Sequence, residues 1–324
     1  MFYDSMIKTE KSNDMYEAWQ EYREELTDTI LSYIESYHIK RELLINKNIR
    51  LSRDYGIEDA VAKMDKKPVL AIWGAGGCND IDVEKLSKYF KLVLIDHQLD
   101  VVTEVIKRFN LPSDTVAMDM KFWDVSDDEY RMFEALLSDG KPEEIKDYLG
   151  EISGRMPVYN LGVEKLFDYS VVIGLASQLN VRFMALAQKY SNVDLDFMAG
   201  LVGDMNKKAV DALWNSVSTM TKNLVIYGYE AACFDKSLDE YSEEVLSRKK
   251  EHINEEAEEK ISLGEIPYWI DENLTGIMGS RELETKLKSV EEFGEYGSIA
   301  NCRSLIWNFT VWKSYLMLLV ALER

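Results

Sequence analysis

The residues best suited to chemistry lie where an apolar run, Val69 to Trp73, ends in glycines. The stretch VLAIWGAGGCNDID, Val69 to Asp82, places Gly74, Ala75, Gly76 and Gly77 between that run and a helical pattern. A ligand can approach backbone closely only where no β-carbon intervenes, and a strand-to-helix turn often needs a positive φ. These glycines therefore point to a ligand cradle. About twenty residues further on, LVLIDHQ puts Asp96 at the end of a second apolar run, where a carboxylate can accept hydrogen bonds from both ribose hydroxyls of a nucleoside. His97, beside it, is a candidate lining residue of the same pocket. Dinucleotide sites usually carry GxGxxG and receive a pyrophosphate at the helix N-terminus. Here the last glycine position is Asn79, and Asp80 and Asp82 bring negative charge to where a pyrophosphate would sit. The pattern favours a nucleoside cofactor that carries no phosphate.

Such residues must be held at the ends of strands, and the flanking patterns supply them. Strands are expected at Val69 to Trp73, Leu92 to Ile95, Thr115 to Met118, Tyr169 to Gly174 and Asn223 to Tyr229. Helices are expected at Val83 to Tyr89, Val101 to Phe109, Val181 to Tyr190 and Lys207 to Met220. Alternation of this kind implies an α/β fold with a parallel sheet and covering helices. Before it, residues 1–66 read as a helical N-terminal extension, with Met15, Trp19, Tyr22 and Leu26, then Ile30, Tyr33, Ile34 and Tyr37, at helical spacing. Ordinary packing is the favoured role for its aromatic residues, Tyr16, Trp19, Tyr22 and Tyr33, with covering an apolar substrate as the alternative. Residues 67–324 form the main domain. Within it, the acidic stretch 235–298, which includes EEAEEK at Glu255 to Lys260 and a turn at Gly264 to Pro267, reads as an inserted helical segment. Two last strands, around Ser304 to Phe309 and Ser314 to Leu322, are expected to close the sheet as an antiparallel hairpin.

The 324 residues, 46% apolar and 30% charged, are those of a folded globular chain with a formal net charge of -20. Binding a phosphate backbone needs clustered Lys and Arg, so a nucleic acid partner is disfavoured, as is an anionic membrane surface. The longest apolar run, Tyr315 to Leu322, is far short of the roughly 20 residues that span a bilayer. The N-terminus shows no secretory pattern, so a cytoplasmic location is expected. Cys78, Cys233 and Cys302 lack metal-binding spacing and read as reduced thiols, with no metal site expected.

Taken together, Val69 to Gly77, Asp96 and the later stretch FDYSVVIGLASQL, Phe167 to Leu179, resemble consecutive motifs of the class I S-adenosylmethionine (SAM)-dependent methyltransferases. The resemblance covers roughly residues 65 to 324 and implies a Rossmann-like methyltransferase sheet. It implies that Leu175, Ser177 and Gln178 lie in a loop under the cofactor. VAMDMKFWD, Val116 to Asp124, resembles the third strand, whose terminal acid or amide reads the adenine amino group in the family; Asp119 is the first candidate and Asp124 the second. WNFTVWKSYLMLLVALER resembles the family's closing hairpin. The chain departs from the pattern at Ile72, where an acid is expected, and at Cys78, where a glycine is.

The implied reaction is in-line transfer of a methyl group from SAM, with S-adenosylhomocysteine as product, to a small molecule or a protein side chain. The extension and the acidic insert would serve as lid. Tyr227, Tyr229 or Glu230, at the end of the fifth strand, are candidates for a base. Two other classes stay open: a degenerate methyltransferase-like binding or interaction protein, which Ile72 and Cys78 favour, and an NAD-dependent oxidoreductase, which the glycines and Asp96 allow. The extension's apolar positions could pack on their own domain or on a second copy, so an oligomer is possible.

Overall fold

The structure, a computed structural model, describes residues 2–6, 15–45, 56–58, 66–120, 125–139, 141–155, 164–235, 242–262, 277, 279–293 and 297–324. Its strands are β1 (Val69–Trp73), β2 (Lys91–Asp96), β3 (Val116–Asp119), β4 (Phe167–Ile173), β5 (Thr221–Asp235), β6 (Ser298–Trp307) and β7 (Lys313–Glu323). They form one sheet in the order β3-β2-β1-β4-β5-β7-β6. The first five are parallel, while β7 runs antiparallel to both β5 and β6. This is the Rossmann-like sheet expected, with its closing hairpin. From β1 the chain steps outward to β2 and β3, then returns to the other side of β1 as β4. At such a switch the two connections leave in opposite directions and open a crevice above the carboxyl ends of β1 and β4.

The described helices are α1 (Gln20–Ile45), α2 (Val83–Tyr89), α3 (Leu99–Arg108), α4 (Asp127–Asp139), α5 (Pro142–Gly154), α6 (Leu175–Gln178), α7 (Val181–Ala187), α8 (Leu195–Met220), α9 (Ser242–Ser262) and α10 (Ser280–Phe293). The runs Leu70 to Trp73 and Leu92 to Ile95 are buried throughout, as parallel strands covered on both faces must be. On one face Leu70, Ile72, Leu92 and Leu94 pack with Tyr22, Leu26, Ile30 and Ile34 of α1 and with α2 and α3. On the other, Trp73, Val172 and Tyr227 pack with Phe133 of α4, Phe183 of α7 and Trp214 of α8. The helical spacing read in the extension thus belongs to a buried stripe laid on the sheet.

Three elements differ from expectation. Helix α8 begins at Leu195, twelve residues before Lys207, because Asp194 caps it: its carboxylate accepts the N–H groups of Asp196 and Phe197 at 3.0 and 3.1 Å. Asp194→Ala should lower stability by about 1 kcal/mol, read as a shift in the urea midpoint. Helices α4 and α5 occupy a stretch for which no element was expected, burying Tyr130, Phe133 and Leu137, then Ile145, Leu149 and Ile152, at helical spacing. Strand β5 runs to Asp235, with a bulge between Glu230 and Ala232. The acidic insert forms α9 and α10. Asn254 of α9 accepts the Ser304 N–H of β6 at 2.7 Å, and α10 lies along α8 and β5. The turn at Gly264 to Pro267, residues 1, 7–14, 46–55 and 59–65 of the extension and Asp124 lie outside the described residues. Among the described residues no helix is long and apolar enough to cross a membrane.

Candidate active site

The loop after β1 is built around positive φ angles, +73° at Gly74 and +47° at Gly76. A β-carbon at Gly74 would stand 2.7 Å from Leu175 Cδ1, so Leu175 would have to move to admit a side chain there. At Gly76 nothing is nearer than 4.0 Å, and only the backbone angle asks for glycine. Gly74 and Ala75 both donate their N–H to the Ile95 carbonyl, at 2.8 and 3.0 Å, which locks the loop onto β2. Cys78 takes φ +49° without being glycine, and burial pushes its thiol well up, so it is not a nucleophile. Asp82 caps α2 by accepting the Lys85 N–H at 2.8 Å.

Asp96, at the tip of β2, reaches this loop. Its Oδ2 accepts the Gly76 N–H and its Oδ1 the Gln98 N–H, both at 2.9 Å, and His97 Nδ1 lies 3.2 Å from Oδ1. Burial alone would push the carboxyl up, but His97 and the two N–H groups outweigh it and hold Asp96 below the usual carboxylate value. It is ionised at neutral pH. Oδ2, with one donor, keeps a second lone pair for a further one, while the second lone pair of Oδ1 faces His97 Nδ1.

Above the carboxyl ends of β1, β2 and β4 lies a cavity of about 340 Å³, within the size range of small-molecule sites. Of the sequence candidates, Gly74, Ala75, Gly76, Gly77, Asp96, His97, Leu175 and Gln178 line it. Ser177 does not: its hydroxyl donates to Gly174 O at 3.0 Å and Glu230 Oε1 at 2.7 Å, under the cavity floor. Asp119 is the last residue of β3, paired with Asp96, and it is the next residue, Met120, that reaches the wall.

None of the three candidate bases lines the cavity. Tyr227 and Tyr229 alternate onto the α8 face of β5 and are buried in that core. Glu230 is buried with both carboxylate oxygens taken, by Ser177 and by Ser280 Oγ at 2.7 Å each, and burial pushes its carboxyl up. The acidic insert likewise supplies no described lining residue.

The wall also contains residues that the sequence did not single out as site residues. Trp307 and Phe309 follow from β6, whose end rises at the same edge as that of β1. Trp19, just before α1, joins them. Its ring centroid is 4.8 Å from that of Trp307 and 5.4 Å from that of Phe309, and its Nε1 donates to Phe309 O at 3.0 Å. Trp19 therefore both packs and lines the site. Met120, Tyr130, Leu179 and Arg182 complete the opposite end.

Asn79 and Asp80 also line the cavity, and Asn79 is tied to α1. Arg23 of α1, only 5% exposed, donates from Nη1 to Asn79 O at 3.1 Å and to Tyr16 O. Burial pushes the Asp80 carboxyl up to about 6, against its own backbone N–H and the Arg23 charge. The native state thus holds this proton more tightly than the unfolded chain. The associated stability is complete below about pH 4 and is lost as pH rises through about 6. Asp80→Asn should therefore be more stable than the natural protein at pH 7.5, by about 2 kcal/mol, with the gain vanishing near pH 4. Urea midpoints at the two pH values read this directly. An ionised carboxylate kept at such a cost is characteristic of functional sites.

No protein-family model and no curated protein matches the chain. Among solved structures, a SAM-dependent methyltransferase from Methanosarcina mazei aligns over 81% of this chain and 95% of its own, at 10% identity and a TM-score of 0.37. The N-methyltransferase NodS from Bradyrhizobium japonicum, in complex with S-adenosylhomocysteine, aligns over 96% and 99%, at 11% identity and 0.34. A putative Zn-dependent alcohol dehydrogenase from Rhodobacter sphaeroides also scores 0.34, at 10% identity over 90% and 98%. At these values the likenesses add nothing to what the strand order already shows.

Proposed function

We propose that the cavity binds SAM and that the protein transfers its methyl group to a small molecule or a protein side chain. The observation that carries this reading is the ionised Asp96, each oxygen fixed by one backbone N–H, standing against a loop whose positive φ angles clear space for a ligand. A ribose diol fits the lone pairs left on that carboxylate. Gly74 to Gly77 would carry the sugar and the methionyl chain, with His97, Met120 and Leu179 at the base end. Asp80 in the same wall disfavours a pyrophosphate, which separates this site from a dinucleotide one. When bound, SAM supplies an electrophilic methyl carbon on sulfur.

The chain's own work is then mostly positional. Trp19, Trp307 and Phe309 close one end against water, and Leu175 and Gly174 set the floor on which an acceptor aligns within about 3 Å of the methyl group. The extension, through Trp19, is the lid; the described part of the acidic insert only braces the floor, through Ser280 and Glu230.

One feature favours a second reading, a binding protein without turnover: Ile72, where the family carries an acid, is buried in the α1 face. Thermal unfolding tests the cofactor. S-adenosylhomocysteine at about 100 times its Kd should stabilise the fold by about 2.7 kcal/mol, and NAD at the same concentration should not. Release of S-adenosylhomocysteine from SAM with an acceptor present then separates enzyme from binding protein.

A further inference from the structure

The aromatic end of the cavity has a composition of its own. Trp19, Trp307 and Phe309 pack mutually at 4.8 to 5.4 Å between centroids. Tyr22, only 4% exposed, stacks on Trp307 from behind at 5.2 Å. Asp80 lines the same cavity next to Asn79, whose carbonyl accepts from Arg23 of α1, the helix that carries Tyr22. Three buried polar atoms here lack a partner among the described residues: Asn79 Oδ1, an acceptor, the Tyr22 hydroxyl, and Trp307 Nε1, a donor on a side chain only 7% exposed. Buried polar atoms without partners are rare and need an explanation, of which a bound ligand is one. Among the described residues, the charged ones in the cavity wall are Asp80, Asp96 and Arg182, and Arg182 stands with Tyr130. With Asp96 assigned to the ribose, Asp80 is the charge an acceptor meets.

We infer that the methyl acceptor is an amine carried on an aromatic body, held by Asp80 and Asn79 Oδ1 against the Trp19, Trp307 and Phe309 wall. This rests on the cofactor reading above. An ammonium group supplies the N–H donors that Asp80 and Asn79 call for, and aromatic faces attract cations where carboxylate or phosphate acceptors would be repelled. The net charge of -20 draws cations toward the protein. In the reaction the bound ammonium gives one proton to the Asp80 carboxylate, which passes it to water. The freed nitrogen lone pair forms the N–C bond to the methyl carbon as the C–S bond breaks. The C–S electron pair returns to sulfur, leaving neutral S-adenosylhomocysteine and a methylated ammonium. Charge and atoms balance without a further reactant.

The test is calorimetric titration of protein saturated with S-adenosylhomocysteine, using phenethylamine, its uncharged analogue 2-phenylethanol and the anion phenylacetate. Phenethylamine should bind at least tenfold more tightly than 2-phenylethanol, and phenylacetate not at all. Asp80→Asn, which relieves a buried charge and should fold, is expected to abolish the preference while changing S-adenosylhomocysteine affinity less than threefold. Phe309→Ala should weaken the amine and the alcohol alike. Equal binding of amine and alcohol, or no binding of phenethylamine or tryptamine at millimolar concentration, would overturn the inference. So would loss of S-adenosylhomocysteine binding in Asp80→Asn, which would give Asp80 to the cofactor. Failure of the natural protein to bind S-adenosylhomocysteine at all would instead defeat the cofactor reading, and this inference with it.

Discussion

Asp96→Ala is expected to weaken S-adenosylhomocysteine binding by roughly a hundredfold or more. Hydrogen bonds to a charged acceptor contribute about 1.5–3 kcal/mol each, and two ribose hydroxyls would lose theirs together. A sum of about 3 kcal/mol corresponds to a little over two decades in Kd. The substitution also strands the N–H groups of Gly76 and Gln98, which the carboxylate now accepts at 2.9 Å. A fold penalty of about 1–2 kcal/mol should therefore accompany the loss. Titration calorimetry at a temperature where the variant is fully folded separates the two effects. A loss below threefold would mean that no ribose rests on this carboxylate.

Gly74→Ala should act on the same site by a different route. A β-carbon there meets Leu175 Cδ1 at 2.7 Å, and the backbone sits at φ +73°. The left-handed conformation costs an L-residue about 1–2 kcal/mol and the overpacking about 1–3 more. Stability should fall by roughly 2–5 kcal/mol, and S-adenosylhomocysteine affinity at least tenfold as the loop shifts off β2. Gly76→Ala is the control: with no atom inside 4.0 Å it should show only the conformational cost, about 1 kcal/mol. Adding Leu175→Ala to Gly74→Ala should restore part of the lost affinity, because the two substitutions share one clash and so do not add. If Gly74→Ala and Gly76→Ala behave alike, the contact with Leu175 is not what makes Gly74 necessary.

How much of this was readable before the structure depended on the range of the signal. The strand Val69 to Trp73, its glycines and Asp96 were legible because each is a local pattern: an apolar run, residues permitting positive φ, an acid at a strand tip. The α1 stripe was legible from spacing alone. Trp307 and Phe309 were not, because their meeting with Gly174 depends on β6 lying parallel to β5 across β7, a fact of sheet order. The same topology explains Tyr227 and Tyr229. They lie midway along the right strand, which runs on to Asp235, and alternate onto its α8 face. Ser177 sits in the expected loop, yet the short helix α6 turns its hydroxyl toward Glu230, a partner 53 residues away. Asp80 was noticed for the ligand it would repel, whereas its place in one cavity wall with Trp19 and Trp307 required α1 to be laid on the sheet.

The central claim is that this cavity holds an adenosyl cofactor rather than a dinucleotide. Titrating the purified protein with S-adenosylhomocysteine and, separately, with NAD in a calorimeter tests it most directly. The account predicts saturable binding of S-adenosylhomocysteine at one site per chain and none of NAD. Binding of NAD, or no heat with S-adenosylhomocysteine at high micromolar concentration, would contradict it.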